Sequence, residues 1–303
     1  MDNNAIPILT SQEEPYSTLA PNTLEPDPNN PPWGVGSAVA LLFLSIGLVI
    51  FVPFFFVLPY AFNQGMTFGT PEQNQAFLQF LATDKTSIIL QIAALLPIHL
   101  LTMFMVWALV TRFGKRPFAS TIGLNWGKVP SLKGLAICTG LGIALFMMGS
   151  VIAKVLGGDK PTPLEQIIHS SWTARYLVSF FAVATAPLAE EFVYRGVLYA
   201  PLQKAVGVKG AVLIVLGIFT LIHVPQYLPN VGVIVAVFLL SVALTLVRAI
   251  WGRLLPCVII HLVFNGITAV ILVFEPYLER FMPTPEPVTP PALFLLPLIG
   301  MFT

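Results

Sequence analysis

The sequence predicts an all-α membrane protein, a polytopic bundle of about seven to eight transmembrane helices. Hydrophobic residues make up 56% of the 303-residue chain and charged residues only 10%, whereas soluble domains carry about 25% charged residues. A soluble fold of this composition could not cover its surface with polar groups, so we exclude a soluble globular enzyme. The 15 basic and 14 acidic residues nearly cancel, which argues against a nucleic-acid partner bound through bulk charge.

The N-terminal part of the chain differs in composition from the rest. Residues 1–32 are polar, rich in Pro and Asn, and contain five acidic residues and no Lys or Arg. A secretory signal needs a basic region followed directly by an apolar run, and this segment has neither. We therefore expect a disordered acidic tail over 1–32 and a membrane helix bundle over 33–303.

Seven apolar runs are long enough to cross a bilayer, which takes about 20 residues. They cover residues 34–62, 87–110, 132–156, 172–198, 210–228, 231–250 and 254–274. The apolar segment 291–301 is shorter. The sequence leaves three alternatives for it: an eighth span, a partial span or an interfacial segment. Residues 71–83 are expected to form a short helix at the membrane interface.

The loop between the second and third spans sets the predicted orientation. It holds several basic residues and no acidic one: Arg112, Lys115, Arg116, Lys128 and Lys133. Because positively charged loops stay in the cytoplasm, we place this loop and the N-terminus on the cytoplasmic side, together with Arg248 and Arg253. We expect a multi-pass protein of a cytoplasmic (plasma) membrane.

The fourth span contains two adjacent acidic residues, Glu190 and Glu191. They are the only acidic residues between Glu165 and Glu275. An acidic side chain at the centre of a membrane helix costs about 2.5–3.5 kcal/mol on insertion scales, so the pair indicates a functional site. Residues four apart share a helix face, so Glu191 is expected to pair with Arg195 and to leave Glu190 free.

Two later spans carry polar residues at a similar predicted depth. Phe219 and His223 are four residues apart in the fifth span, and His261 and Asn265 are four apart in the seventh. These residue types suit hydrolysis, with Glu190 as the general base and His223 orienting a water molecule. His261 and Asn265 would then donate hydrogen bonds to an oxyanion.

A metal-binding site is an alternative interpretation of the same residues. Glu190, His223 and His261 would supply two imidazoles and a carboxylate, a common zinc set. His99 in the second span has no acidic partner in sequence, and we assign it no role. Cys138 and Cys257 lie inside apolar runs without a metal-binding spacing, and we expect both to be reduced and buried.

Taken in order, these motifs resemble the CPBP (CAAX protease and bacteriocin-processing, or Abi) family of intramembrane proteases. The motifs are Glu-Glu-x-x-x-Arg at 190–195, Phe-x-x-x-His at 219–223 and His-x-x-x-Asn at 261–265. All motif positions are filled, and the resemblance covers 173–274, the expected protease core.

The resemblance implies an endopeptidase with an active site that opens toward the cytoplasm and acts on a membrane-associated peptide or protein. It implies that Glu190 activates water, that His223, His261 and Asn265 surround it, and that Glu191, Arg195 and Phe219 support them. The family is described both as metal-dependent and as glutamate-type. We favour the glutamate type without a cofactor, since Asn265 suits an oxyanion donor better than a zinc ligand; zinc is the alternative.

Two other classes of protein compete with this hypothesis. Intramembrane Glu, Arg and His also build proton relays in transporters, although we find no inverted repeat of the kind many transporters show. A non-catalytic membrane scaffold, or an immunity-type binding protein, would keep the charged cluster for stability alone. The change Glu190→Gln discriminates, because a protease should lose its function and a scaffold should tolerate the change.

Overall fold

The computed structural model describes residues 26–157 and 161–279, and these contain helices and no strand. This confirms the all-α prediction. Residues 1–25 of the expected 1–32 tail and the apolar segment 291–301 lie outside the described residues, whereas Pro28, Asn29 and Asn30 of that tail form hydrogen bonds with Arg248 and Lys204. The helices are α1 Val35–Asn63, α2 Pro71–Thr83, α3 Lys85–Ala93, α4 Leu95–Thr111, α5 Phe118–Ile122, α6 Ser131–Leu156, α7 Pro163–Ser170, α8 Trp172–Ala184, α9 Ala186–Glu191, α10 Tyr199–Tyr227, α11 Val231–Trp251 and α12 Leu255–Glu279. A π-helical turn, Phe192–Leu198, joins α9 to α10.

Within the described residues, six helical runs are long and apolar enough to cross a membrane. They are Val35–Asn63, Lys85–Thr111, Ser131–Leu156, Trp172–Tyr227, Val231–Trp251 and Leu255–Leu278. The fourth run has 56 residues and, at 1.5 Å per residue, would extend about 84 Å, far beyond the bilayer core of about 30 Å. Its backbone leaves the helical region at Gly207, with φ 74° and ψ 170°. The run therefore contains both the fourth and the fifth predicted spans.

The short helix predicted at 71–83 is α2. Its first turn is closed by a capping box, in which Thr70 and Gln73 each accept a hydrogen bond from the other's backbone N–H. Phe77 and Leu81 on its buried face belong to one apolar cluster with Val57 of α1. The helix thus packs on the end of the first span.

One part of the bundle, formed by helices α6, α11 and α12, is tightly packed. A Cβ added to Gly142 of α6 would lie 2.8 Å from the Val263 side chain of α12. A Cβ added to Gly232 of α11 would lie 2.8 Å from the backbone of Ala153 in α6. Glycine therefore allows these backbones to approach closely, as is common between membrane helices. As a result, α12 is closely packed against α6.

Contacts at the two ends of the bundle agree with the prediction that successive loops alternate between the two sides of the membrane. At one end, Lys204 donates to Asn30 over 2.7 Å, and the predicted cytoplasmic loop 111–131 bonds to the start of α12 through the Gly123 carbonyl. At the other end, Arg175 of α8 pairs with Glu275 of α12 over 2.7 Å. Segments predicted to share a side of the membrane are thus in contact.

Candidate active site

The two acidic residues lie at the end of α9, a helix of six residues between two irregular points of the chain. Thr185, between α8 and α9, has φ −130° and ψ −37°. Pro187 follows in the first turn of α9, where its missing N–H costs no helix hydrogen bond. The π-helical turn begins directly after Glu191. The side chain of Glu190 is 27% exposed, and that of Glu191 is fully buried.

Glu191 and Arg195 form the ion pair that their spacing predicts. Arg195 Nη1 lies 3.0 Å from Glu191 Oε1, and both side chains are 0% exposed. The other guanidinium nitrogens donate to Ser241 Oγ over 2.9 Å and to Thr245 Oγ1 over 3.2 Å, both on α11. A charge buried this deeply is tolerated because its carboxylate partner and further hydrogen bonds replace the lost water.

His261 of α12 joins the same network. Its Nδ1 lies 2.8 Å from Glu191 Oε1, the oxygen that also accepts from Arg195. A carboxylate only accepts hydrogen bonds, so Nδ1 carries the proton. The opposite nitrogen, Nε2, faces Glu190 Oε2 at 3.8 Å. Glu191 thereby fixes the orientation of the His261 ring, as carboxylates commonly do for functional histidines.

His223 of α10 approaches Glu190 in a similar way. Its Nδ1 lies 2.6 Å from the carbonyl oxygen of Phe219, one turn earlier. A carbonyl only accepts, so Nδ1 is again the protonated nitrogen, and Nε2 faces Glu190 Oε2 at 3.9 Å. The separations of 3.8 and 3.9 Å exceed a direct hydrogen bond of about 3.2 Å. They suit a bridging water, which can donate a hydrogen to each acceptor.

Asn265 lies one turn beyond His261 on α12. Its Nδ2 donates to the carbonyl oxygen of Ala182 in α8 over 2.9 Å. An amide nitrogen carries two hydrogens, so a second N–H remains to donate. The structure thus brings Glu190, His223 and His261 together directly and anchors Asn265 beside them through α8.

Phe219 separates the charged network from His223. Its buried ring lies 4.4 Å from the Arg195 guanidinium carbon and 4.4 Å, between ring centroids, from His223. A cation over an aromatic face is stabilised by the ring quadrupole. The Phe-x-x-x-His spacing therefore supplies both a cover for Arg195 and the carbonyl that orients His223.

Sequence reasoning missed several residues that contact this site. Ser241 and Thr245 are four apart in a predicted span, a polar stripe that could have indicated a buried partner for Arg195. His99, to which we assigned no role, bonds through Nδ1 to Thr185 Oγ1 over 2.7 Å. It therefore holds the start of α9, a contact between spans two and four that sequence spacing cannot reveal.

In this structure the candidate residues are spaced more widely than the ligands of a zinc centre. In the part of the chain that the structure describes, no group of three or more His, Cys, Asp or Glu side chains is arranged to hold a metal ion. Tetrahedral zinc with ligand bonds of about 2.0–2.1 Å places its ligand atoms about 3.3 Å apart, closer than the Glu190 and histidine atoms lie. We therefore derive no step through a metal. Cys138 and Cys257 are free and buried, as expected.

Comparison with known proteins identifies the segment that carries this site. Residues 171–267 match the model of a family described as type II CAAX prenyl endopeptidase Rce1-like. The resemblance to the CPBP family is thereby confirmed for this segment. No curated protein and no solved structure matches the chain.

The matched segment, residues 171–267, contains all four candidate catalytic residues, Glu190, His223, His261 and Asn265. Together with the six runs that are long and apolar enough to cross a membrane, the match supports an integral, multi-pass membrane protein. The identity of the membrane and the side of the N-terminus stay predictions.

Proposed function

We propose that this protein is an intramembrane endopeptidase that hydrolyses a peptide bond of a membrane-associated peptide or protein. The observation that carries the proposal is the approach of two histidine Nε2 atoms to one oxygen of Glu190, at 3.8 and 3.9 Å. The three residues come from three different spans, and the family match supports the same activity.

The first step is the activation of a water molecule between Glu190 and His223. The water donates one hydrogen to Glu190 Oε2 and the other to His223 Nε2, which directs its oxygen toward the scissile carbonyl carbon. Glu190 takes the first proton as the C–O bond forms. It later returns that proton to the leaving amine when the C–N bond breaks. The side chain of Glu190 is 27% exposed and is therefore not sealed inside the bundle.

The oxyanion formed in this step needs hydrogen-bond donors on its other side. Asn265 offers the N–H that its bond to Ala182 leaves unused. The His261 ring presents Nε2 beside Glu190, at 3.8 Å from Oε2, and the bond from Nδ1 to Glu191 holds the ring in this orientation. Glu191 and Arg195 act in this scheme as positioning residues for His261.

The site and the family description both support the proposed substrate class. A buried hydrolytic site inside a helix bundle restricts its substrates to chains that reach the membrane. The family description names CAAX prenyl substrates, so a farnesylated peptide with a C-terminal CAAX sequence is the first defined probe. We propose no narrower substrate than a membrane-associated peptide or protein.

The test compares peptide termini in membranes of cells that express the wild-type chain, Glu190→Gln or Glu72→Gln at matched protein levels. Glu72 lies on the exposed surface of α2 and controls for the change from carboxylate to amide. We expect new termini with the wild type and with Glu72→Gln, and none with Glu190→Gln. Identical termini in all three membranes would contradict a protease and favour the scaffold or immunity-type hypothesis.

A further inference from the structure

The π-helical turn changes the backbone hydrogen-bond register of the helix at Arg195. The N–H of Tyr199 bonds to the carbonyl of Tyr194, five residues earlier. An α-helix pairs each N–H with the carbonyl four residues earlier, so we infer that in α10 the N–H of Ala200 pairs with the carbonyl of Gly196. When the spacing between bonded residues changes from five to four, no helical N–H is left for the carbonyl of Arg195. A buried carbonyl without a hydrogen-bond partner is costly.

Arg248 of α11 supplies the missing donor. Its Nε donates to the Arg195 carbonyl over 3.1 Å, and its side chain is fully buried. The two remaining guanidinium nitrogens donate to Asn29 Oδ1 over 2.7 Å and to the Pro28 carbonyl over 3.0 Å. All three nitrogens are therefore used to join the chain before α1 to the π-helical turn.

The carbonyl of Val197, in the same turn, lacks a helical donor for a different reason. The helical partner of the Val197 carbonyl is residue 201, which is a proline and has no N–H. The indole Nε1 of Trp33 donates to this carbonyl over 2.9 Å, and Trp33 is buried. Each carbonyl that the helix leaves unpaired at 195 and 197 thus receives a side-chain donor from elsewhere in the chain.

The π-helical turn connects these contacts to the candidate active site. The Arg195 side chain holds Glu191, and Glu191 holds His261. We propose that Arg248 and residues 28–33, which we name the N-terminal strap, clamp the π-helical turn and so position Glu191 and His261 for the reaction. The catalytic half of this proposal rests on the proposed function, whereas the clamp itself does not.

The test uses the full-length protein in detergent, with Trp33→Phe as the main variant. Phe keeps an aromatic ring and removes the indole N–H. Trp107→Phe is the control, since Trp107 is 38% exposed on α4. Pro201→Ala returns a backbone N–H that can reach Val197, so the double variant Trp33→Phe/Pro201→Ala should be rescued. Hydrogen exchange of the 192–202 amides is measured by mass spectrometry, beside cleavage of the farnesylated CAAX peptide.

We expect Trp33→Phe to exchange about tenfold faster over 192–202, as for a lost buried hydrogen bond, with α12 unchanged. The double variant and Trp107→Phe should exchange like the wild type. The cleavage rate at saturating peptide should fall about tenfold with an unchanged KM, and the rescue should restore it. Arg248→Lys, which keeps the charge but not the three-way donation, should behave like Trp33→Phe.

The outcomes separate the clamp from the proposed function. Unchanged exchange in both Trp33→Phe and Arg248→Lys would overturn the clamp. Faster exchange that Pro201→Ala fails to rescue would overturn the carbonyl argument, because ring packing alone would then explain the effect. Faster exchange with an unchanged cleavage rate would overturn the positioning role. If the wild type neither cleaves the CAAX peptide nor produces new termini in membranes, the proposed function fails, and the exchange data still decide the clamp.

Discussion

Replacing Glu191 by Gln removes the charge that compensates Arg195 while keeping the shape of the side chain. Both members of the pair are 0% exposed, with 3.0 Å between Nη1 and Oε1. Removing one partner of a buried ion pair costs about 3–5 kcal/mol, because the remaining charge stays buried. Ser241 and Thr245 still accept from Arg195, so we expect the lower end, about 3 kcal/mol.

The assay is thermal unfolding of the purified protein in detergent. A loss of 1 kcal/mol lowers the Tm of a protein of 150–250 residues by about 2–4 °C, so Glu191→Gln should lower it by about 6–12 °C. Glu275→Gln is the matched control: Glu275 pairs with Arg175 but is 36% exposed, and such pairs contribute about 0–1 kcal/mol. Equal Tm shifts in both variants, or no shift in Glu191→Gln, would refute the stabilising role of the buried pair.

Three further predictions concern packing and chemistry. Gly196→Ala places a Cβ 2.7 Å from Ile122 Cδ1 and should cost about 1–3 kcal/mol in thermal unfolding; Gly217→Ala has open space and should not destabilise, so equal losses would contradict the packing argument. Asn265→Asp removes the amide donor and should lower the cleavage rate about 10²–10³-fold; a rate within threefold of the wild type would remove Asn265 from the mechanism. Incubation with 1,10-phenanthroline should leave cleavage of the CAAX peptide unchanged, and a loss reversed only by added zinc would establish a metal mechanism.

Local sequence features were sufficient to predict the helical spans and the first contact of the site. Hydropathy identifies each span because the bilayer demands a long apolar run wherever the chain crosses. The pairing of Glu191 with Arg195 follows from a spacing of four residues on one helix. Both inferences depend only on residues that are neighbours along the chain.

The remaining contacts of the site depend on which faces of distant helices meet. Ser241 accepts from Arg195 across 46 residues, and Arg248 reaches the Arg195 carbonyl across 53. Sequence analysis grouped Arg248 with the cytoplasmic loop charges, whereas the structure buries it completely. The π-helical turn was also beyond prediction, because its stability depends on donors from α11 and from the segment before α1.

The order of the polar partners along the chain has a consequence for how the protein is synthesised. Arg195 emerges from the ribosome with Glu191, but His261 follows Glu191 by 70 residues, about 4–14 s later at ordinary elongation rates. Until Ser241 and Thr245 follow on α11, 46 and 50 residues after Arg195, the nascent span has only its own ion pair for compensation. The span between Trp172 and Leu198 is therefore accessible to membrane quality-control proteases while part of its hydrogen-bond network is still missing.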